Sequence, residues 1–410
     1  MKKSDKRIRE ILSYINEKVL YSDVSNFEDD SVFSGKLSLA LYSFLVYKIE
    51  NEDDYLLKTQ EVLENIFADI SQNKSEIIKN ITLADGLVGL GILLNILLKE
   101  GVLDKDYSEQ LDVISDMAYE NCLKMLKEER FDFFYGAIGL FHYLNEVNRV
   151  DYTNEIVDVL YKYGVKNDFL FYNNFDDPYV EGINFGVAHG SFAIISICLN
   201  LYHKGVKKDK VKEIVIKSIK SLCEFRKDLT GDVEMVRGKL SDFCSLFPYN
   251  IASENKTSFS KQNKSNKYYY TNRLGWCNGD LSRSLIIYKA AILFNNDEIL
   301  DIAALLSLST LNRIEEEKTA VRNFHMCHGS CGILMMYYSL FKLTNNNKYE
   351  KSIDFWKEKT LSFMEQRIDK GVFRDRDLEI LTGWLGGAVS LYAISGENIE
   401  IINDLYLINI

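Results

Sequence analysis

The sequence predicts an all-α protein in which seven helical hairpins form an (α/α)7 toroid, with an inner and an outer ring of helices. Two observations predict this fold. Apolar, helix-periodic runs recur along the 410-residue chain, each opened by a glycine. No segment shows the sustained two-residue alternation that would indicate a main β-sheet. A repeat of fixed length is typical of stacked supersecondary units, so we expect residues 1–410 to form a single domain.

The repeat glycines are spaced by about fifty residues. An amphipathic, charged stretch precedes each glycine, as in residues 54–70, and a nearly all-apolar stretch follows it, as in residues 329–343. A helix that is apolar on all sides is buried. Each hairpin should therefore pair an outer, solvated helix with an inner, buried one. The first glycines of the seven units stand at positions 35, 86, 136, 186, 279, 329 and 383.

The long step between positions 186 and 279 contains an insertion, which we place at residues 236–272. Its central part, residues 253–267, is polar and low in complexity, which predicts a mobile surface loop. Because the insertion leads directly into Arg273, one interpretation is that it covers a functional site. The other is that it is a solvated loop without a function, since loops tolerate insertions.

Composition and charge exclude several classes of protein. The net charge of −11 argues against duplex nucleic acid as a partner and weakly favours a cationic one. Seven irregularly spaced cysteines do not form a disulfide framework. The longest apolar runs are shorter than the roughly 20 residues that span a bilayer, and the N-terminus has no signal-peptide pattern. We expect a cytoplasmic protein with free thiols.

Two thiols and one imidazole stand directly ahead of consecutive repeat glycines: Cys277, Cys327 and His328. Such a set can bind zinc and leave one coordination position for a substrate. The alternative is that both cysteines are buried residues at helix starts, because free cysteine often packs in a core. Cys331 is a rival ligand, but it lies one turn into the following helix and should pack there.

Three further residues are candidates for chemistry. His189 holds the corresponding position in the fourth unit and is either a satisfied core histidine or a general acid or base. Asp132 lies among aromatic residues and needs a partner; it is a helix cap or it orients His189. Arg273 precedes Cys277 by four residues and is a surface cation or an anchor for a substrate carbonyl or enolate.

The motifs Trp276-Cys277-x-Gly279, Cys327-His328-Gly329 and Ala188-His189-Gly190, placed on glycine-led hairpins, resemble the lanthionine synthetase C-like family over nearly the whole chain. More narrowly, the chain resembles the stand-alone bacterial cyclases of class I lanthipeptide biosynthesis. The resemblance implies a double ring of helices with zinc at one end. The sequence departs from the family pattern at three positions, which are Asn278, where tyrosine is usual, Cys331, where a small residue is common, and Ala193, in place of a glycine.

The resemblance also implies roles for the candidate residues. Cys277, Cys327 and His328 match the zinc ligands. His189 matches the proposed acid/base, Asp132 matches the acidic residue beside it, and Arg273 matches an active-site arginine.

The implied activity is zinc-dependent lanthipeptide cyclisation. Peptide cysteine thiolates add within the same chain to dehydroalanine or dehydrobutyrine and form the (methyl)lanthionine rings of a lantibiotic precursor. The implied partners are the dehydrated precursor peptide, a dehydratase and an exporter, through which the protein would associate with the inner face of the membrane.

Two other functions are compatible with the ligand set. One is a non-catalytic family member that binds zinc and glutathione or acts as a scaffold. The other is a zinc protein prenyltransferase, but its metal set normally includes an aspartate and it needs a partner subunit, neither of which is evident in the sequence.

Overall fold

Helices dominate the computed structural model, which describes residues 3–177, 180–229, 240–252 and 266–408. The chain divides into two compact units. The first contains Met1–Ile114 and Arg322–Ile410, and the second contains Ser115–Val321.

In chain order, the α-helices of the described residues are α1 (Lys3–Leu20), α2 (Lys36–Glu50), α3 (Asp53–Ser71), α4 (Leu87–Lys99), α5 (Tyr107–Lys127), α6 (Ala137–Glu146), α7 (Val150–Lys166), α8 (Ser191–His203), α9 (Lys208–Cys223), α10 (Asp280–Phe294), α11 (Asp297–Thr310), α12 (Glu316–Thr319), α13 (Ser330–Thr344), α14 (Glu350–Asp369), α15 (Trp384–Ser395) and α16 (Glu400–Tyr406). Short 3₁₀ helices cover Val24–Asn26, Glu76–Lys79, Leu240–Asp242, Asn347–Tyr349 and Asp375–Asp377.

Seven of these helices begin directly after a glycine, and nearly all of their residues are buried. They are the inner helices that the sequence predicts. One predicted repeat position is wrong: the fourth inner helix begins after Gly190 and not after Gly186. Gly186 lies in the preceding loop, where a Cβ atom would stand only 2.7 Å from the carbonyl oxygen of Cys277.

The loop in front of an inner helix folds back onto the start of that helix. A Cβ atom at Gly190 would lie 2.0 Å from the carbonyl oxygen of Asn184, and one at Gly329 would lie 2.3 Å from the backbone nitrogen of His325. Only glycine permits so close an approach. In four of the hairpins the first N–H group of the inner helix donates to the carbonyl seven residues upstream. These bonds run from Lys36 to Asp29, Leu87 to Asn80, Ala137 to Arg130 and Ser330 to Asn323.

The hairpin partner of an inner helix is the amphipathic helix that follows it. The predicted order, with the outer helix ahead of the glycine, is wrong for the direct packing pairs, which are α2 with α3, α6 with α7, α8 with α9, α10 with α11, and α13 with α14. Several of these turns are tight because an asparagine adopts the left-handed conformation at the helix end, at Asn51, Asn295 and Asn345. Helix α1 packs against α14 and α15.

The inner helices lie side by side within each unit. In the first unit α13 contacts α15, α15 contacts α2, and α2 contacts α4; in the second unit α6 and α10 both contact α8. Backbone hydrogen bonds also join neighbouring loops in the first unit, because Cys327 donates to Leu381 and Leu381 donates to Phe33. The starts of these helices are therefore adjacent.

A small antiparallel sheet in the second unit was not predicted. Strand β1 (Ile183–Asn184) pairs with β2 (Asn250–Ala252), which pairs with β3 (Lys267–Tyr269). Strands β2 and β3 belong to the insertion, so part of the insertion pairs with the loop in front of α8. Most of the polar central part of the insertion, residues 253–265, lies outside the described residues.

Within the described part of the chain, no helix is both long enough and apolar enough to cross a membrane.

We predict that Gly86→Ala destabilises the protein by about 2 kcal/mol. The new Cβ atom would lie 2.5 Å from the carbonyl oxygen of Asn80, a backbone atom that cannot rotate away. The control is Gly101→Asn, because Gly101 is left-handed with open space around it and asparagine tolerates that conformation. Urea denaturation measures both variants; an equal loss of stability in the two would contradict the loop-packing argument.

Candidate metal centre and acid–base pair

Cys277 lies in the loop that precedes α10, and its side chain is buried. Its carbonyl oxygen accepts hydrogen bonds from the backbone N–H groups of Val187 (2.9 Å) and Ala188 (3.3 Å). These two bonds join the Cys277 loop to the loop that ends in His189. The close approach at Gly186, described above, makes this contact possible.

A buried polar network supports the Cys277 loop from the side of α10. Arg283 is only 1% exposed, and it donates to the carboxylate of Asp280 at 3.2 Å and to the side-chain oxygen of Asn278. Burial lowers the pKa of Arg283 to about 10, against the opposing charge of Asp280, so the guanidinium stays charged at neutral pH. This network was not predicted from the sequence, where its signal is an Asp-x-x-Arg pair at the start of an apolar helix.

Cys327 and His328 lie in the loop that precedes α13. The N–H of Cys327 donates to the carbonyl of Leu381 at 3.0 Å, and the N–H of Gly329 donates to the carbonyl of His325 at 3.0 Å. Both side chains are half-buried. The backbone therefore fixes the two residues at the start of the helix while their side chains keep access to a ligand.

The sulfur atoms of Cys277 and Cys327 and a ring nitrogen of His328 lie within 4.8 Å of one another. Zinc bonds of about 2.3 Å to sulfur and about 2.0 Å to nitrogen in a tetrahedral site place ligand atoms roughly 3.5–3.8 Å apart. Small side-chain rotations would close this difference. Thiolates and imidazole are ligands that suit zinc, whereas magnesium and calcium prefer oxygen.

Two neighbouring residues, Cys331 and His325, are not part of this group. Cys331 is fully buried in the first turn of α13, and burial raises the pKa of its thiol to about 12. It packs in the core, as the sequence predicts. The ring of His325 lies 5.9 Å from that of His328; burial, and then the charge of His328, lower the pKa of His325 to about 4.

His189 forms a hydrogen bond with Asp132 in the second unit. The distance from Nδ1 of His189 to Oδ2 of Asp132 is 2.8 Å. The other oxygen of Asp132, Oδ1, accepts from the backbone N–H of Tyr135 at 2.7 Å. Asp132 is completely buried, and the side chain of His189 is 31% exposed. Asp132 thus contacts His189 through one oxygen and the turn ahead of α6 through the other; it is not the N-cap of α6, because that position is Gly136, which makes no side-chain cap hydrogen bond.

The charge of Asp132 controls the protonation of His189. Burial alone would lower the pKa of His189, but the carboxylate of Asp132 outweighs it and raises the pKa above the usual value, with a smaller contribution from Cys277. Because the folded-state pKa is raised, protonation of His189 stabilises the fold below its unfolded pKa. This contribution is lost as the pH rises through the folded-state value.

Aromatic rings surround the histidine. The ring of Phe134 lies edge-on to His189 at 5.3 Å, and that of Tyr135 is nearly parallel to it at 6.2 Å. Phe134 also stacks on Trp276, which precedes Cys277. Arg273 is exposed, which agrees with either of the roles that the sequence left open for it.

The comparisons with known proteins agree with this architecture of helical hairpins. The chain is similar in structure to nisin cyclase, with a TM-score of 0.68 and 17% sequence identity, over 99% of this chain and 98% of that chain. This likeness confirms the predicted fold class. The family model described as lanthionine synthetase C-like protein matches residues 26–401. The chain therefore belongs to the lanthionine synthetase C-like family.

We predict that Asp132→Asn lowers the pKa of His189 to below its reference value of about 6.5. Without the carboxylate, burial is the dominant influence on the imidazole. An NMR titration of ¹³C-labelled histidine can resolve this change, because the chain has five histidines. Exposed His203 serves as the internal reference; an unchanged His189 titration would contradict the assigned coupling.

Proposed function

We propose that this protein is a zinc-dependent lanthipeptide cyclase. Its reaction would be the intramolecular addition of a peptide cysteine thiolate to a dehydroalanine or dehydrobutyrine, which forms a thioether ring. The observation that supports this most is the grouping of the ligand atoms of Cys277, Cys327 and His328. Membership of the lanthionine synthetase C-like family supports the same proposal.

Cys277, Cys327 and His328 would hold the zinc ion as two thiolates and one neutral imidazole. With these ligands the site is formally neutral and offers a fourth position to a substrate thiol. A free cysteine thiol has a pKa of about 8.5 and is mostly protonated at neutral pH. Bound zinc would supply the missing activation by stabilising the substrate sulfur as a thiolate that remains nucleophilic.

His189 is proposed to supply the proton that completes the reaction. When the thiolate adds to the β-carbon, a carbon–sulfur bond forms and the π electrons of the alkene move toward the α-carbon. That carbon then needs one proton. Asp132 occupies Nδ1 of His189, so Nε2 is the nitrogen that can donate to the substrate. The raised pKa of His189 increases the fraction of the ring that carries this proton at neutral pH.

Two further features fit the proposed reaction. Phe134 and Tyr135 lie against the imidazole, while 31% of the His189 side chain stays exposed and open to a substrate. The exposed guanidinium of Arg273 is proposed to bind the substrate carbonyl on which negative charge develops.

The precursor peptide would come from a dehydratase and leave through an exporter, as the family resemblance implies.

The His189–Asp132 pair favours a cyclase over a protein that only binds zinc and a thiol such as glutathione. Thiol binding needs the metal ligands, but it does not need an oriented acid. Loss of His189 should therefore affect cyclisation and leave thiol binding intact.

We predict about one zinc per chain in the wild type and loss of that zinc in Cys277→Ala. Removing one of three protein ligands leaves too few to retain the ion. Elemental analysis of protein purified without chelator provides the measurement. The matched control is Cys198→Ala, a buried cysteine in α8 that should keep its zinc; a metal-free wild type would contradict the proposal.

We predict that His189→Ala slows cyclisation by about 10²- to 10⁴-fold, which is typical for loss of a general acid, and retains zinc. The substrate is a synthetic peptide with one cysteine and one dehydroalanine. Cyclisation leaves its mass unchanged, so the readout is protection of the thiol from N-ethylmaleimide. His203→Ala is the control. Full activity in His189→Ala, or loss of its zinc, would contradict the assigned role.

A further inference from the structure

A large groove runs along α1 in the first unit, remote from the proposed metal ligands of that unit. Its volume is about 1000 Å³, and its walls come from α1, the ends of α2 and α15, the start of α3, and parts of α13 and α14. A second depression of about 400 Å³ shares Leu20 and Tyr21 with it. We call the two together the α1 groove. From Asp5 to Tyr21 it extends about 24 Å, at 1.5 Å per helical residue.

The α1 groove lies at the opposite helix ends from the ligand loop. Cys327 and His328 precede the start of α13, whereas the residue of α13 that lines the groove is Tyr338. This places the groove lining about 12 Å along the helix axis from Ser330. The last residues of α2 and α15 also line the groove. A ligand in the groove would therefore bind away from the reacting atoms.

The lining of the groove is acidic. In the larger depression two basic residues, Arg9 and Lys357, face five acidic ones, which are Asp5, Glu17, Glu50, Glu52 and Glu397. The C-terminal ends of α2 and α15 add partial negative charge, because helix dipoles are negative at that end. The smaller depression contains two exposed apolar side chains, Tyr21 (82%) and Leu57 (60%).

One carboxylate in the groove is fixed in place by buried donors. Oε1 of Glu50 accepts from Nδ2 of Asn16 at 2.9 Å and from the hydroxyl of Tyr392 at 2.6 Å. Asn16 is itself oriented by the hydroxyl of buried Tyr42 at 2.7 Å. No described residue donates a hydrogen bond to Oε2 of Glu50, so this oxygen can accept from a cation in the groove. A preorganised charge loses little side-chain entropy when it binds.

We propose that the α1 groove binds a Lys- or Arg-containing segment of the peptide substrate, with Glu50 as the main contact for the cation. An extended segment of about seven residues would fill the 24 Å length. Its apolar side chains would cover Tyr21 and Leu57. The assignment to the substrate rests on the proposed cyclase function. Binding of one segment here would raise the effective concentration of the remaining peptide at the zinc site.

The first test uses a probe that cannot react. A fluorescein-labelled peptide of Lys and Leu, without cysteine, is titrated with wild-type protein and followed by fluorescence anisotropy. A matched peptide with Glu in place of Lys should not bind. Because the probe has no thiol, failure of the zinc chemistry would not change this result.

Glu50→Gln is the decisive variant, since its amide oxygen can still accept from Asn16 and Tyr392 while the charge is lost. We expect about fivefold weaker binding of the basic peptide, as for loss of one exposed ion pair. Glu17→Gln, at an exposed position of α1, is a second variant that does not touch the buried network. Glu10→Gln removes an equal charge from α1 outside the groove and should bind like the wild type.

Three results would overturn the proposal. The first is that the basic peptide does not bind to the wild type at about 0.1 mM. The second is that Glu10→Gln and Glu50→Gln weaken peptide binding equally. The third is self-association of the wild type that Glu50→Gln abolishes, which would assign the groove to a second copy of the chain. With a cyclisable peptide that contains the basic segment, Glu50→Gln should raise KM and leave kcat unchanged. A change in kcat alone would contradict a role in substrate binding.

Discussion

The contact between each inner helix and the loop in front of it is the constraint on which the rest of the structure depends. In six of the seven inner helices, the loop turns back so closely that a Cβ atom at the cap glycine would lie within 2.7 Å of the carbonyl oxygen six residues upstream, as at Gly86 and Gly190. At Gly279 the corresponding distance, to the carbonyl oxygen of Arg273, is 3.2 Å. Any larger residue at the six closer positions would clash with the backbone, so glycine is required there. Once this turn is formed, the residue just before the glycine is fixed at the helix start, and this is the position of His189 and of His328.

Hydrogen bonds between neighbouring loops hold the candidate functional residues of different hairpins close together. In the second unit the carbonyl of Cys277 accepts from the loop that holds His189, and Asp132 fixes the imidazole from the loop in front of α6. In the first unit the Cys327 loop is tied to Leu381. The backbone thus fixes the positions of the proposed zinc ligands, and the Asp132 side chain orients the proposed acid. The α1 groove lies at the other ends of the inner helices, away from the glycine ends, where the proposed reacting groups lie.

Much of the fold could be predicted because glycines and apolar helices repeat with a nearly constant period. The predicted position of the fourth helix is wrong because Gly186 and Gly190 both fit that period. An asparagine or aspartate six residues before the cap would have distinguished them: Asn184 precedes Gly190 as Asn80 precedes Gly86 and Asn323 precedes Gly329. The strands of the insertion were not predictable, since Ile251 pairs with Ile183 far away in sequence. The Arg283 network, by contrast, is local in sequence, because Arg283 bonds Asp280 and Asn278.

The most direct test of the account is the coordination shell of zinc, measured by X-ray absorption spectroscopy on the purified protein. The account predicts two sulfur ligands at about 2.3 Å and two nitrogen or oxygen ligands at about 2.0–2.1 Å. Addition of a cysteine-containing peptide should convert the shell to three sulfurs and one nitrogen. A shell without sulfur, or one that does not change when the peptide is added, would contradict the proposed zinc site and its role in activating the substrate thiol.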